Sequence, residues 1–256
     1  MHAPQSELPT LTADILARVR ARSPRVHCIT NAVAQNFTAN MLLAVGAVPS
    51  MTIAADEIAA FTAGSAALLV NLGTFDAERR EAADTAIEVA TEEGVPWVLD
   101  PVFIDRSQAR AAYARALAAR KPASMRLNRA EFVALAGIEP EGEALTRYAL
   151  DSLTVIGLTG EIDLITDGAR LITIANGHPL MGRVTAMGCA GSALAAAFLA
   201  VEDDALIATA AALLALGVAG EVAAACANGP GTFAAEILDA VYDLDRDTLI
   251  ERAKVL

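Results

Sequence analysis

The sequence predicts an α/β fold: a mainly parallel sheet, helices on both of its faces and an antiparallel hairpin at one edge. Three observations carry that expectation. Short apolar runs alternate with longer amphipathic stretches from about residue 25 onward, which is the pattern of successive βαβ units. An Asp167-Gly168 pair separates two such runs, and Asp-Gly is the strongest short hairpin signal. After Gly177 the strand signals fade and alanine-rich helical segments take over.

In chain order, strands are expected over residues 25–30, 48–53, 67–72, 96–100, 124–127, 153–158, 163–166 and 171–175. Helix-period segments lie between the earlier runs, over 33–45, 56–61, 76–93, 107–120 and 129–136. Three further helices are expected at about 189–201, 204–227 and 231–242. No Pro/Gly/Ser-rich linker and no repeat divides the chain, so one domain over residues 1–256 is expected.

Composition narrows the class. The 256 residues are 55% hydrophobic but only 4% aromatic, and 58 of them are alanine, so the apolar content is mostly small and aliphatic. Such a chain has ample core for an α/β domain and too much apolar content to stay disordered. Residues 26–55 lack Lys, Arg, Asp and Glu but are interrupted by Asn, Gln, Thr, Ser, His and Pro. The stretches 184–201 and 205–220 are alanine-rich and shorter than the roughly 20 strongly apolar residues of a membrane span, so they are expected to be buried helices.

A net charge of −12, with no Lys/Arg cluster, argues against nucleic-acid binding. The densest basic stretch, 110–121, reads as a solvated helix face. Cys28, Cys189 and Cys226 have no paired spacing and the three histidines are widely separated, so neither a zinc site nor a disulfide framework is indicated. Residues 1–10 lack a signal-peptide pattern, and a cytoplasmic location is the simplest expectation.

Phosphate-binding motifs can be tested directly. No Gly-Lys pair exists, which excludes a Walker A loop. Gly229, Gly231 and Ala234 match a dinucleotide fingerprint in form, but Pro230 intervenes and a helix precedes, so an interhelical turn is expected. The segment 184–192 is different: a glycine-bearing turn opening a helix, with Gly188 and Gly191 permitting close approach to an anion. Cys189 stands at its N-terminus, where a thiolate is stabilised. An ordinary helix start with a buried cysteine fits that form equally well.

Asp100 ends an apolar run, and Glu131 follows another just after Asn128. Ligands of open α/β sheets collect beyond the carboxyl ends of strands, so these two acids are candidates to share Mg²⁺ beside a polyphosphate. Taken singly, Asp100 reads more readily as a turn cap and Glu131 as a first-turn acid, while Asn128 reads equally well as an N-cap.

Together these segments resemble the hydroxyethylthiazole kinase family, whose members have the ribokinase-like three-layer α/β/α fold. The resemblance runs from about His27 to Tyr242. It rests on Ile29-Thr30-Asn31 with Asn36 and Asn40, on Gly46-Ala47-Val48-Pro49-Ser50-Met51 and on Asn71-Leu72-Gly73-Thr74. It continues through Asp100-Pro101-Val102, Arg126-Leu127-Asn128-Arg129-Ala130-Glu131, Thr159-Gly160-Glu161-Ile162-Asp163 and Asn176-Gly177-His178. Thr185-Ala186-Met187-Gly188-Cys189 and Gly229-Pro230-Gly231 complete it.

The resemblance implies phosphorylation of 4-methyl-5-(2-hydroxyethyl)thiazole by ATP in thiamine salvage. It implies the thiazole near Asn31, Met51 and Ala186, ATP against Arg126 and Thr159, and Mg²⁺ near Asp100 and Glu131. Gly188 and Cys189 would open the anion hole, with Cys189 at the position where most ribokinase-like enzymes carry an aspartate base. A homotrimer with sites between subunits is implied as well. Three departures border that site: Phe103-Ile104-Asp105-Arg106 where small residues are common, Leu127 in place of a usual glycine, and Ala186 where glycine is frequent. The competing readings are another ribokinase-like enzyme, such as a hydroxymethylpyrimidine kinase or an ADP-dependent hydrate dehydratase, and a non-catalytic thiazole-binding protein.

Overall fold

The chain was analysed as a computed structural model, which describes residues 5–256. Eight strands form one sheet: β1 (Arg25–Ile29), β2 (Val48–Ser50), β3 (Ala67–Asn71), β4 (Trp97–Asp100), β5 (Ser124–Asn128), β6 (Val155–Thr159), β7 (Asp163–Thr166) and β8 (Leu171–Ile174). Their order is β2-β1-β3-β4-β5-β6-β7-β8. All pairings from β2 to β6 are parallel, whereas β7 runs antiparallel to β6 and β8 to β7. The expected parallel sheet with an antiparallel edge hairpin is therefore present. In its loop, Asp167 Oδ1 accepts from the amides of Ala169 at 2.9 Å and Arg170 at 2.7 Å.

The helices divide between the two faces. On one lie α1 (Leu8–Arg22), α2 (Gln35–Val45), α8 (Met187–Leu199), α9 (Ala205–Cys226), α10 (Pro230–Asp243) and α11 (Arg246–Arg252). The other carries α3 (Ile58–Ala63), α4 (Ala77–Glu93), α5 (Gln108–Ala118), α6 (Arg129–Ala136) and α7 (Ala144–Ser152). Covered on both sides, β3 and β4 are buried at every residue, which is why they read as unbroken apolar runs.

The alanine-rich block forms the interior of the first layer. Nearly every residue of α8 is buried, and α9 packs against α1, α8 and α10. Small side chains allow these backbones to approach closely without leaving voids. With 22 residues, α9 is long and apolar enough by composition to cross a membrane, but 83% of its most apolar stretch is buried, as in a core helix. Its bounds agree with the helix expected over 204–227.

Some boundaries differ from expectation for identifiable reasons. α7 ends with Leu153 in the left-handed region (φ 53°) and 65% exposed, so β6 starts at Val155 instead of residue 153. β2 stops at Ser50, and residues 51–53 leave the sheet. Helices α1, α7 and α11 were not anticipated. α11 leads into a C-terminal segment that covers β8: Ala175 N donates to Lys254 O at 2.8 Å and Leu256 N to Thr173 O at 3.0 Å. That covering protects an otherwise open edge strand.

Candidate active site

The carboxyl ends of the parallel strands deliver polar residues to one rim of the sheet. Asn31 follows β1, Asn71 ends β3, Asp100 ends β4, Asn128 ends β5 and Thr159 ends β6. α8 lies against β1, β3 and β4, so its first turn comes down among these residues. Ala186 caps that helix in the left-handed region (φ 72°), and no side chain caps it. The amides of Gly188 and Cys189 precede the helix's own acceptors, which leaves them aimed at this rim. The helix-opening turn expected at 184–192 is thus present, starting at Met187 instead of residue 189.

One side of the rim is a connected network of buried polar groups. Asp100 Oδ2 accepts from Asn71 Nδ2 at 2.7 Å and from Ser192 Oγ at 2.8 Å. Asn71 Oδ1 accepts from Asn31 Nδ2 at 3.1 Å and from Gly73 N at 3.0 Å. Asn31 Nδ2 also donates to Cys189 Sγ at 3.2 Å, while Asn31 Oδ1 accepts from Ala34 N at 2.9 Å. A Cβ at Gly73 would lie 2.6 Å from Asn31 Nδ2, so any larger residue there displaces the Asn31 side chain.

Burial sets the charges in this network. It pushes the Asp100 carboxyl up, opposed by the positive charge of Arg126 and the hydrogen bonds from Ser192 and Asn71. Glu131 rises to about 7, first through burial and further through the charge of Asp100. The Cys189 thiol is pushed up to about 11, again by burial and then by Asp100. Cys189 therefore holds its proton at neutral pH, the ordinary state of a thiol, because burial carries the group above its usual value.

Glu131 does what a first-turn acid does. Asn128 caps α6 by accepting from Glu131 N at 3.0 Å, and Glu131 Oε2 accepts from Asn128 N at 3.0 Å, a reciprocal capping box. Glu131 Oε1 accepts from Phe103 N at 3.1 Å. Among the described residues, no group of three or more His, Cys, Asp or Glu is gathered to hold a metal ion. Two buried carboxylates, with the charge of Asp100 felt at Glu131, nevertheless fit Mg²⁺, which takes one or two protein carboxylates and fills its remaining positions with water and phosphate oxygens.

The other side of the rim is an open cleft of about 720 Å³, lined in part by Arg126, Thr159, Asp163, Asn176, His178 and Gly188. Arg126 reaches from β5 across the start of α8. A Cβ on Gly188 would stand 3.1 Å from its Nη1, and one on Gly191 would stand 3.4 Å from its Nε. That Nε is buried without a hydrogen-bond partner among the described residues. A cation with unspent donors beside a helix N-terminus is a fitting arrangement for an anion.

The structure thus gathers Asn31, Asp100, Glu131 and Cys189 on one side of α8's first turn, and Arg126, Thr159 and Gly188 on the other. Met51 follows β2, partly buried against the core near the sheet edge. Residue-type reasoning missed Ser192, Asn71 and Asp163 as partners of the site. Asn71 had a signal, since it ends a buried strand next to Asp100 in the register of β3 on β4. Ser192 looked like one more small residue in an alanine-rich helix. Of the three departures, Leu127 is buried in the α3–α7 layer, and Phe103 is 58% exposed with its backbone tied to Glu131.

A mainly parallel sheet with a helix terminus brought down on its rim, beside an open cleft, is the architecture of ribokinase-like kinases. A probable hydroxyethylthiazole kinase from Agrobacterium fabrum is 44% identical over 95% of this chain and 94% of its own length. A hydroxyethylthiazole kinase from Granulibacter bethesdensis is 42% identical over 95% and 93%. A solved hydroxyethylthiazole kinase structure from Pyrococcus horikoshii superposes with a TM-score of 0.92 at 37% identity, covering 96% of this chain and 98% of that one. The hydroxyethylthiazole kinase family profile matches residues 16–247, and the chain belongs to that family. An ADP/ATP-dependent NAD(P)H-hydrate dehydratase from Bacillus subtilis shares the fold at a TM-score of 0.59 and 14% identity.

Proposed function

We propose that this chain, acting as one catalytic domain, transfers the γ-phosphoryl group of ATP to the side-chain hydroxyl of 4-methyl-5-(2-hydroxyethyl)thiazole in thiamine salvage. The observation that carries the reading is the meeting of Arg126, the first turn of α8 and Cys189 at the junction of cleft and network. In the reaction the alcohol oxygen bonds to the γ-phosphorus, the bond to the β-phosphate oxygen breaks, ADP leaves and the hydroxyl proton is lost. Such transfer depends on positioning and charge stabilisation more than on a strong base.

In this reading ATP lies along the cleft. Arg126 presents its planar donors to phosphate, and Thr159 lines the nucleotide's path. The amides of Gly188 and Cys189 face the charge that develops on the transferring group. Asp100 and Glu131 would hold Mg²⁺, which when bound neutralises phosphate charge. The thiazole lies toward Asn31, Met51 and Ala186, where a flexible thioether suits an aromatic heterocycle. With its thiol raised to about 11 and so protonated at neutral pH, Cys189 contributes modestly, by orienting the alcohol, and the hydroxyl proton passes to phosphate oxygen or water.

The reading includes a cytoplasmic homotrimer with sites between subunits. Exposed Leu43, Val48 and Phe61, on α2, β2 and α3 respectively, support an interface along this edge of the sheet. Light scattering decides the assembly, with a monomer contradicting it. The activity is tested by incubating the protein with ATP, Mg²⁺ and the hydroxyethylthiazole and following the phosphate ester by mass. Ester that accumulates with time and enzyme is expected, and its absence at every substrate concentration overturns the reading.

A further inference from the structure

Both amides of the polar network have only one orientation that satisfies their neighbours. Asn71 is held at three points. One end of its amide lies 2.7 Å from Asp100 Oδ2. The amide of Gly73 only donates, so the atom 3.0 Å from it must be Oδ1. The atom of Asn31 that faces this oxygen must then donate, and Ala34 N independently fixes the other end of Asn31 as its oxygen at 2.9 Å. Asn31 Nδ2 has two protons and two acceptors, Asn71 Oδ1 and Cys189 Sγ. Its donor capacity is fully used inside the protein.

We propose that Asn71 is a positioning residue for phosphoryl transfer: it fixes the amide of Asn31, which donates to the sulfur of Cys189 and directs the S–H away from the network, toward the alcohol. The inference rests on the function proposed above. It assigns Asn31 a role toward the cysteine more than toward the ligand. It also explains the glycine at 73, where a Cβ 2.6 Å from Asn31 Nδ2 and 2.7 Å from Asn31 Cβ would push that side chain aside. Asp100 thereby acts at two places, as the acid at the end of β4 and as the anchor of the hydrogen-bonded chain out to Cys189.

The test is a double-mutant cycle on ester formation. Asn71→Leu keeps similar volume and removes both hydrogen-bonding ends. At saturating substrates it is expected to lower kcat about tenfold or more, the order of loss for a misplaced reacting group, with the KM for ATP unchanged. In a Cys189→Ala background the same substitution is expected to cost less than about threefold, because residues that act through one another are not additive. Equal losses in both backgrounds overturn the proposal, as does a loss confined to the KM for ATP.

Gly73→Ala displaces Asn31 without deleting a polar group and serves if Asn71→Leu does not fold. It is expected to show the same split and the same dependence on Cys189. A readout independent of turnover is alkylation by iodoacetamide, mapped by mass. In Asn71→Leu the rate at Cys189 is expected to fall, because its thiolate loses a donor, while the rate at exposed Cys226 holds. An unchanged rate at Cys189 overturns the positioning role. Wild-type protein that makes no ester, with alkylation of Cys189 still slowed by Asn71→Leu, overturns the proposed function while the hold of Asn71 on the cysteine stands.

Discussion

The two sides of α8's first turn are built differently. Toward β1, β3 and β4, side chains are buried or, at Asn31, half-buried and hydrogen-bond to one another, from Asp100 through Asn71 and Asn31 to Cys189. Toward β5, β6 and β8, the rim opens into a cleft in which Arg126 keeps a buried Nε without a partner among the described residues. A saturated network holds one geometry, because any displaced member leaves a buried polar group unsatisfied. An open cleft with unspent donors waits for a ligand to complete it. The first side suits the setting of a reacting atom, the second the capture of a nucleotide.

Breaking the network at its anchor is expected to have the largest effect. Asp100→Ala leaves Asn71 Nδ2 without its acceptor and Ser192 Oγ with only Gly188 O, and ester formation is expected to fall about 10²–10³-fold at saturating substrates. Residual activity near wild type would show that the network does not set the rate.

The same side carries a pH-dependent contribution to stability. His27 is buried on β1, its ring nitrogens bonded to Ser50 Oγ at 2.8 Å and Thr52 O at 3.1 Å, and burial lowers it from 6.5 to about 4. A depressed histidine stabilises the fold above its unfolded value, and that contribution is lost as pH falls from about 6.5 through 4. Denaturant titrations across that range are expected to show about 3 kcal/mol of lost stability from this group, and His27→Gln to lack that part.

On the cleft side, Arg126→Leu is expected to raise the KM for ATP roughly 10–100-fold with a smaller change in kcat. Gly191→Ala is subtler. It improves intrinsic helix propensity by roughly 1 kcal/mol. Its Cβ would, however, stand 2.9 Å from Leu216 Cδ2 and 3.4 Å from Arg126 Nε. A severalfold rise in the KM for ATP, roughly 3–10-fold for a slightly misplaced guanidinium, is expected from steady-state kinetics. The smallest effect is at Ala186, whose left-handed backbone (φ 72°) costs an alanine about 1 kcal/mol. Ala186→Gly is expected to raise the melting temperature by a few degrees, as a gain of that size does in a domain of this length.

Legibility in the sequence followed the same division. Strands buried on both faces and the Asp-Gly hairpin could be read from local pattern, as could the helix opening near Gly188. The start of β6 could not, because it depends on Leu153 turning left-handed at the end of α7. Residues with a motif around them, such as Asp100, Arg126 and Cys189, stood out as candidates. Ser192 did not, since its meaning comes from a carboxylate 92 positions away. The environment of Cys189 was legible only in part: a helix N-terminus is visible in sequence, but the burial that raises the thiol is a property of the assembled fold.

The central claim is that the network sets the rate of ester formation and the cleft sets nucleotide affinity. Ester production measured against ATP concentration for Arg126→Leu and Cys189→Ala tests it most directly. The account predicts that Arg126→Leu regains most of its rate as ATP rises, whereas Cys189→Ala stays roughly tenfold low at every concentration with an unchanged KM for ATP. Recovery of Cys189→Ala at high ATP, or a wild-type protein that forms no ester, would contradict it.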